Sequence, residues 1–138
     1  MIKRVFVDTD VILDIALARQ PFLPASKAVL AMIENGLAIG VISSNCIANI
    51  YYILRKQGGD DNARIFLSKL LEYLAVIPID HSNVLEALKS DFGDFEDALQ
   101  NYAAIRNQCD CIVTRNIDDY KKSKLDIYQP SEFLYLYQ

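Results

Sequence analysis

One histidine and three cysteines among 138 residues leave little material for several common chemistries. His81 sits in Ile-Asp-His-Ser, a helix entry, so a Ser-His-Asp or Cys-His mechanism has a single possible base, in a position that suits a structural role. Cys46, Cys109 and Cys111 show neither CxxC spacing nor neighbouring histidines. That pattern argues against zinc and against a disulfide framework, and marks the three as reduced core thiols. No run approaches the roughly 20 apolar residues of a membrane span, and no charged-then-apolar leader precedes the first strand pattern. The expected compartment is therefore the cytoplasm, with no membrane partner. Repeats, linkers and low-complexity segments are also lacking, and the length suits one domain over residues 1–138.

A basic excess is missing too. The net charge of -4 is not that of a protein that holds nucleic acid by bulk phosphate neutralisation. It does not exclude a nuclease, because acids gathered around a cation are locally cancelled. Basic residues do cluster: Arg55 and Lys56 at a helix end, Arg115 beside a candidate site, where it could meet a substrate phosphate, and Lys121, Lys122 and Lys124 after it. The lysine run reads first as a solvated face.

What is present is a 52 % hydrophobic, 23 % charged composition, typical of globular proteins, arranged as strands alternating with helices. Val5-Phe6-Val7 reads as a buried strand that stops at Asp8. A short helix follows from Asp10 to Ala18, interrupted by Pro21 and Pro24, then a helix from Ala25 to Asn35 with Asn35-Gly36 as its stop. Leu37–Ile42 predicts a second strand, Ser43 and Ser44 a cap for a helix to Lys56, and Gln57-Gly58-Gly59 its end. A helix from Asp60 or Asp61 to Leu74, a strand at Val76–Ile79, and a helix capped by Asp80 or Ser82 come next. Pro78 places that strand at a sheet edge. Asp94 opens a helix to Arg106; Asp110–Thr114 and Asp126–Tyr128 are strands, and Pro130 fits the first turn of a closing helix. Parallel neighbours need crossover helices, so the fold class is α/β, a three-layer α/β/α sandwich with a central parallel sheet of four or five strands. If strands one to three wind outward and strand four returns beside strand one, Asp8 and the Thr114–Asp119 loop meet at the switch point, where ligands bind.

Three polar groups thus end hydrophobic elements: Asp8; Asp94-Phe95-Glu96-Asp97; and Thr114-Arg115-Asn116 with Asp118 and Asp119. Oxygen ligands without imidazole or thiolate suit Mg²⁺ or Mn²⁺, and metal-assisted hydrolysis is the chemistry these residues allow. Each acid also has a structural use. Asp94 with Asp97 three residues on matches an N-cap and a first-turn acid, and capping is the stronger reading for Asp94. Asp97 heads a helix of small residues, Ala98, Ala103 and Ala104, able to press on the sheet. Asp8, flanked by buried valines, has the strongest functional case, since a strand-end carboxylate there is unfavourable unless bonded or coordinated. Asp10 and Asp14 read as a cap and a solvent-facing residue of the first helix.

Val-Phe-Val-Asp-Thr-Asp-Val-Ile-Leu-Asp, Asp-Phe-Glu-Asp-Ala-Leu-Gln, and Ile-Val-Thr-Arg-Asn-Ile-Asp-Asp-Tyr followed by Pro-Ser-Glu-Phe-Leu together resemble the PIN-domain family over essentially the whole chain. The resemblance implies a PIN-like α/β/α fold, a Mg²⁺ or Mn²⁺ site, ribonuclease activity on RNA phosphodiesters, and a toxin neutralised by a small antitoxin protein. Carried over by residue, it makes Asp8 and Asp97 the catalytic acids and Asp8, Asp97, Asn116 and Asp119 the metal set, with Asp94, Asn49 and Thr114 as additional candidates. It departs from the family at Asn49, where a glutamate is usual on the helix after the second strand, and at Asn116, where many members have aspartate. An amide supplies a carbonyl ligand but no charge, which lowers metal affinity and argues against a two-metal site. Family members commonly dimerise; Tyr51, Tyr52, Tyr135 and Tyr137 suit either an interface or core filling.

Two other readings compete. One is a PIN-like RNA- or protein-binding module without useful catalysis, favoured by the two asparagines. The other is a phosphatase, because Asp8-Thr9-Asp10 also resembles the DxD motif of haloacid-dehalogenase-like enzymes. Asp10 would be essential to the phosphatase and Asp97 to the nuclease.

Overall fold

The computed structural model of the chain describes residues 2–138; Met1 lies outside the described residues. Five strands form one sheet, β1 (Lys3–Val7), β2 (Ala38–Ser43), β3 (Leu74–Ile77), β4 (Cys111–Val113) and β5 (Asp126–Tyr128), in the order β3-β2-β1-β4-β5. Every pairing is parallel, with Phe6 opposite Val41 on one side and Ile112 on the other. The winding expected from sequence is therefore the observed one. The chain moves outward from β1 to β3, returns to β4, and reverses direction between β1 and β4.

Among the described residues six α-helices lie between strands, α1 (Thr9–Ala16), α2 (Leu23–Glu34), α3 (Ser44–Gly58), α4 (Asp60–Leu70), α5 (His81–Leu88) and α6 (Phe95–Arg106), and a seventh, α7 (Pro130–Tyr137), follows β5. A single 3₁₀ turn, Ile117–Tyr120, follows β4. Successive strand residues point to opposite faces. Because Val5, Phe6, Val7, Cys111, Ile112 and Val113 are all buried, both faces of the central strands are covered by helices. Tyr120, Phe6 and Phe133 are the largest of the wholly enclosed side chains among the described residues.

Helix ends follow local chemistry. Ser43 Oγ accepts from Cys46 N at 3.1 Å to start α3. Asp80 and Asn83 form a capping box on α5, which places His81 as its first residue. Gly59, at φ 89°, makes the turn between α3 and α4 that a side chain would strain. Gly40 in β2 has a different reason: a Cβ there would lie 2.7 Å from Ile33 Cδ1 on α2 and closer still to Leu74 on β3. Elements are displaced by a few residues from expectation at two places. Helix α4 stops at Leu70, and Leu74, read as its last residue, begins β3. Strand β3 lies at the sheet edge, as Pro78 suggested, but closes at Ile77, so Pro78 itself falls outside the ladder. Cys46, Cys109 and Cys111 are free and buried, as expected of core thiols. Tyr135, read as suiting either an interface or the core, is 89 % exposed, which excludes the core.

Candidate active site

The carboxyl ends of β1 and β4 open into a cleft of about 550 Å³. Its lining includes Asp8, Thr9 and Asp10 from the start of α1, Asn49 from α3, Asp94, Glu96 and Asp97 from the start of α6, and Asn116 and Asp119 after β4. Residues more than 100 positions apart meet there because β1 and β4 are neighbours and run in the same direction.

Asp8 is 7 % exposed. Its Oδ1 accepts from Thr9 N at 2.8 Å, which makes it the N-cap of α1, and its Oδ2 accepts from Thr114 Oγ1 at 2.8 Å. Burial, followed by the charge of Asp10, pushes the Asp8 carboxyl up to about 7 despite those two hydrogen bonds. Asp97, half-buried in the first turn of α6, is likewise pushed up to about 7, by burial and then by the Asp94 and Asp119 carboxylates. No cation is paired with either acid among the described residues. The Thr9 hydroxyl, also on the cleft, is buried without a hydrogen-bond partner.

The remaining candidates divide clearly. Asp94 Oδ1 accepts from Asp97 N at 2.9 Å, so Asp94 caps α6 while lining the cleft. Thr114 is wholly buried and couples Asp8 to the loop after β4, its hydroxyl also accepting from Asn116 N at 3.1 Å. Asn116 Nδ2 donates to Asp10 Oδ2 at 2.8 Å, which orients that amide and leaves its carbonyl oxygen without a hydrogen bond among the described residues. Asp119 lines the cleft; Asp118 does not. Ala98, Ala103 and Ala104 of α6 are fully buried, as their small size suggested.

Three expectations need correction. Asp14, read as solvent-facing, is 0 % exposed and receives Arg115 Nε at 2.6 Å and Nη2 at 3.1 Å. Arg115, read as a phosphate contact, is committed to that pair and lies over the Phe22 ring, 3.9 Å from its centroid. It reaches the cleft only through its backbone N–H, which donates to Asp10. Asp10, in turn, is not a cap but an acceptor for Arg115 N, Thr114 Oγ1 and Asn116 Nδ2 at the cleft floor. Two further residues were given no role in the sequence reading. Arg19 is the one guanidinium in the cleft lining, 3.9 Å from Asp14 Oδ1. Glu96 accepts from Asn49 Nδ2 and from Asn45 Nδ2 across the cleft. The run of two acids, Glu96-Asp97, was the available signal for Glu96; nothing in Arg19's neighbourhood signalled its place.

The donors on the cleft are oxygens, and no three acidic, histidine or cysteine side chains among the described residues close around a point. An open, carboxylate-lined cleft of this kind fits Mg²⁺ or Mn²⁺, which bind through one or two carboxylates and retain several waters. Two acids without a countercharge and the Thr9 hydroxyl, all on this cleft, are groups that a bound cation and its waters would satisfy.

Fold and site together define a doubly wound α/β domain with an acidic, oxygen-donor cleft at the switch point. A family model described as PIN domain matches residues 4–118, and the chain belongs to the PIN-domain family. It is similar to Ribonuclease VapC1 of Aquifex aeolicus, 27% identical over 137 residues that cover 95% of this chain and 93% of that protein. Among solved structures it resembles VapBC2 from Rickettsia felis bound to a promoter DNA fragment, with TM-score 0.69 and 18% identity over 91% of this chain and 98% of that one. VapC20 from Mycobacterium tuberculosis, a sarcin-ricin loop cleaving toxin, superposes with TM-score 0.62 and 15% identity over 78% of this chain and 86% of that one. These two likenesses are of fold.

Proposed function

We propose that this chain is a ribonuclease that uses Mg²⁺ or Mn²⁺ to hydrolyse RNA phosphodiesters, and that it is the cytoplasmic toxin of a toxin–antitoxin pair. The carrying observation is that Asp8 and Asp97, on separate elements, are both held uncompensated beside one open cleft. The relative named a ribonuclease, the neighbour named a sarcin-ricin loop cleaving toxin and a Klebsiella pneumoniae neighbour named a toxin-antitoxin complex support the same reading. No helix among the described residues is long and apolar enough to cross a membrane.

Asp8 and Asp97 would hold the ion, directly or through its waters, with Asp119 and the Asn116 carbonyl as further oxygen donors on the same cleft. When bound, the metal supplies Lewis-acid activation of the phosphodiester and of an attacking water. The chain's own residues do the rest. Thr114 fixes the Asp8 carboxylate, Asp10 turns the Asn116 amide, and Arg19 is placed to meet a substrate phosphate in the role first expected of Arg115. The DxD phosphatase reading needs Asp10 free to exchange a proton, whereas its carboxylate is engaged by three donors in the loop after β4. A small antitoxin protein is the expected partner, and the exposed Tyr52 and Tyr135 suit a homodimer contact.

The test is cleavage of a mixed single-stranded and hairpin RNA by the purified protein, with Mn²⁺ or Mg²⁺ and with a chelator. Activity should require the ion and fall by about a hundredfold or more in Asp97→Asn, a loss of roughly 2.7 kcal/mol of transition-state stabilisation. Chelator-resistant cleavage, or full activity in Asp97→Asn, contradicts the proposal. Metal binding without cleavage of any RNA would favour the binding-module reading.

A further inference from the structure

The wall of the cleft built by α3 has no acid of its own. Between Ser44 and Gly58 that helix presents Asn45 and Asn49, four residues apart and therefore on one face, and neither carries charge. Yet a carboxylate stands against that wall. Glu96, in the first turn of α6, crosses the cleft so that its Oε1 accepts from Asn45 Nδ2 at 3.0 Å and also from Asn49 Nδ2. The two partners lie 51 and 47 residues away in sequence, and both amides turn their NH₂ groups to the same oxygen. Oε2 takes no hydrogen bond among the described residues, and both Glu96 and Asn49 line the cleft that contains Asp8 and Asp97.

We propose that Glu96 is a further metal-holding residue of this site, supplying from α6 the negative charge that α3 lacks, and that Asn45 and Asn49 are positioning residues that aim it. Asn49 is then a donor to a carboxylate and not a ligand in its own right. The arrangement is chemically economical. An exposed glutamate on a first turn would sample several rotamers; two amide donors on the facing helix restrict it, and charge-assisted hydrogen bonds are the stronger kind. Because Oε1 is occupied by the amides, Oε2 is the atom free to reach an ion. This inference rests on the metal-site reading above and adds one acid to it.

The two are separated by calorimetric titration of Mn²⁺ into the intact protein and its variants, with the Mn²⁺ paramagnetic resonance signal as a second readout. The exposed position of Glu96 keeps Glu96→Gln folded, which circular dichroism checks. Wild type should bind, Asp97→Asn should not, and Glu96→Gln should weaken binding by about tenfold, at the lower end of losses seen when groups supporting a metal are removed. Asn45→Ala with Asn49→Ala, which leaves the carboxylate but not its guides, should weaken it by roughly threefold to tenfold. The decisive variant moves the acid to the other wall: Asn49→Glu combined with Glu96→Gln should recover wild-type affinity to within about threefold. Equal affinity in wild type and Glu96→Gln, with Asp97→Asn still abolishing binding, overturns the role of Glu96 and leaves the site intact. Failure of the wild type to bind at all overturns both.

Discussion

Asp8 and Asp14 are six residues apart, both in or at the end of α1, and both are buried, yet they are treated in opposite ways. Asp14 is met by the Arg115 guanidinium in a two-bond pair, with Arg19 3.9 Å away, and Arg115 is itself backed by the Phe22 ring. Asp8 receives one backbone N–H and one hydroxyl and no cation, and its carboxyl is pushed up to about 7. The first acid has been neutralised within the fold. The second has no countercharge among the described residues. Charge burial alone does not distinguish a structural carboxylate from a functional one; the partner does.

The largest effect expected of this contrast is on the structural side. Arg115→Ala strands Asp14 in a dry position, and breaking such a pair costs about 3–5 kcal/mol. Chemical denaturation should show that loss. Asp8→Asn should go the other way, removing a desolvated charge while an amide still caps α1, and raise metal-free stability by about 1–2 kcal/mol while abolishing RNA cleavage. A metal-free Asp8→Asn protein less stable than wild type would break the comparison.

The pattern of legibility follows the same line. Asp8 and Asp97 could be read from sequence because each ends or begins a hydrophobic element, a local signal. The sheet order could be read because apolar runs alternate with helices and crossovers are right-handed. The Asp14–Arg115 pair could not, since it joins positions 101 apart and α1 is so short that both its sides are covered. The pairing of Glu96 with Asn45 and Asn49 was hidden for the same reason: its partners are on another helix. The end of α4 was misplaced because Leu70, Leu71 and Leu74 continue a helical stripe, and only the pairing of Leu74 with Gly40 claims it for β3.

Acidity offers a sharper, smaller test. Asp8 and Asp97 ordinarily titrate near 3.8 and are held up to about 7 in the fold. Between about pH 4 and 7 the folded protein therefore binds more protons than the unfolded chain, and stability falls as pH rises through that window. Metal-free melting temperature should decline from pH 5 to pH 7.5 by a few degrees, and this slope should flatten in a variant carrying both Asp8→Asn and Asp97→Asn. The exposed Asp60 and Asp80, whose carboxyls lie below their usual range, act at lower pH and in the opposite sense. Arg19→Ala should have the mildest consequence, raising KM for RNA by about threefold to tenfold with kcat little changed, as expected of a group that binds ground and transition states alike. A fall in kcat with KM constant would assign Arg19 a different task.

The most direct test of the central claim, that Asp8 and Asp97 are kept uncompensated for a divalent cation, is thermal denaturation of wild type and Asp97→Asn side by side, with and without Mn²⁺ at pH 7.5. The account predicts that Asp97→Asn melts higher than wild type without metal, and that Mn²⁺ raises the melting temperature of wild type alone. Equal stabilisation of both proteins by Mn²⁺, or none of either, would contradict it.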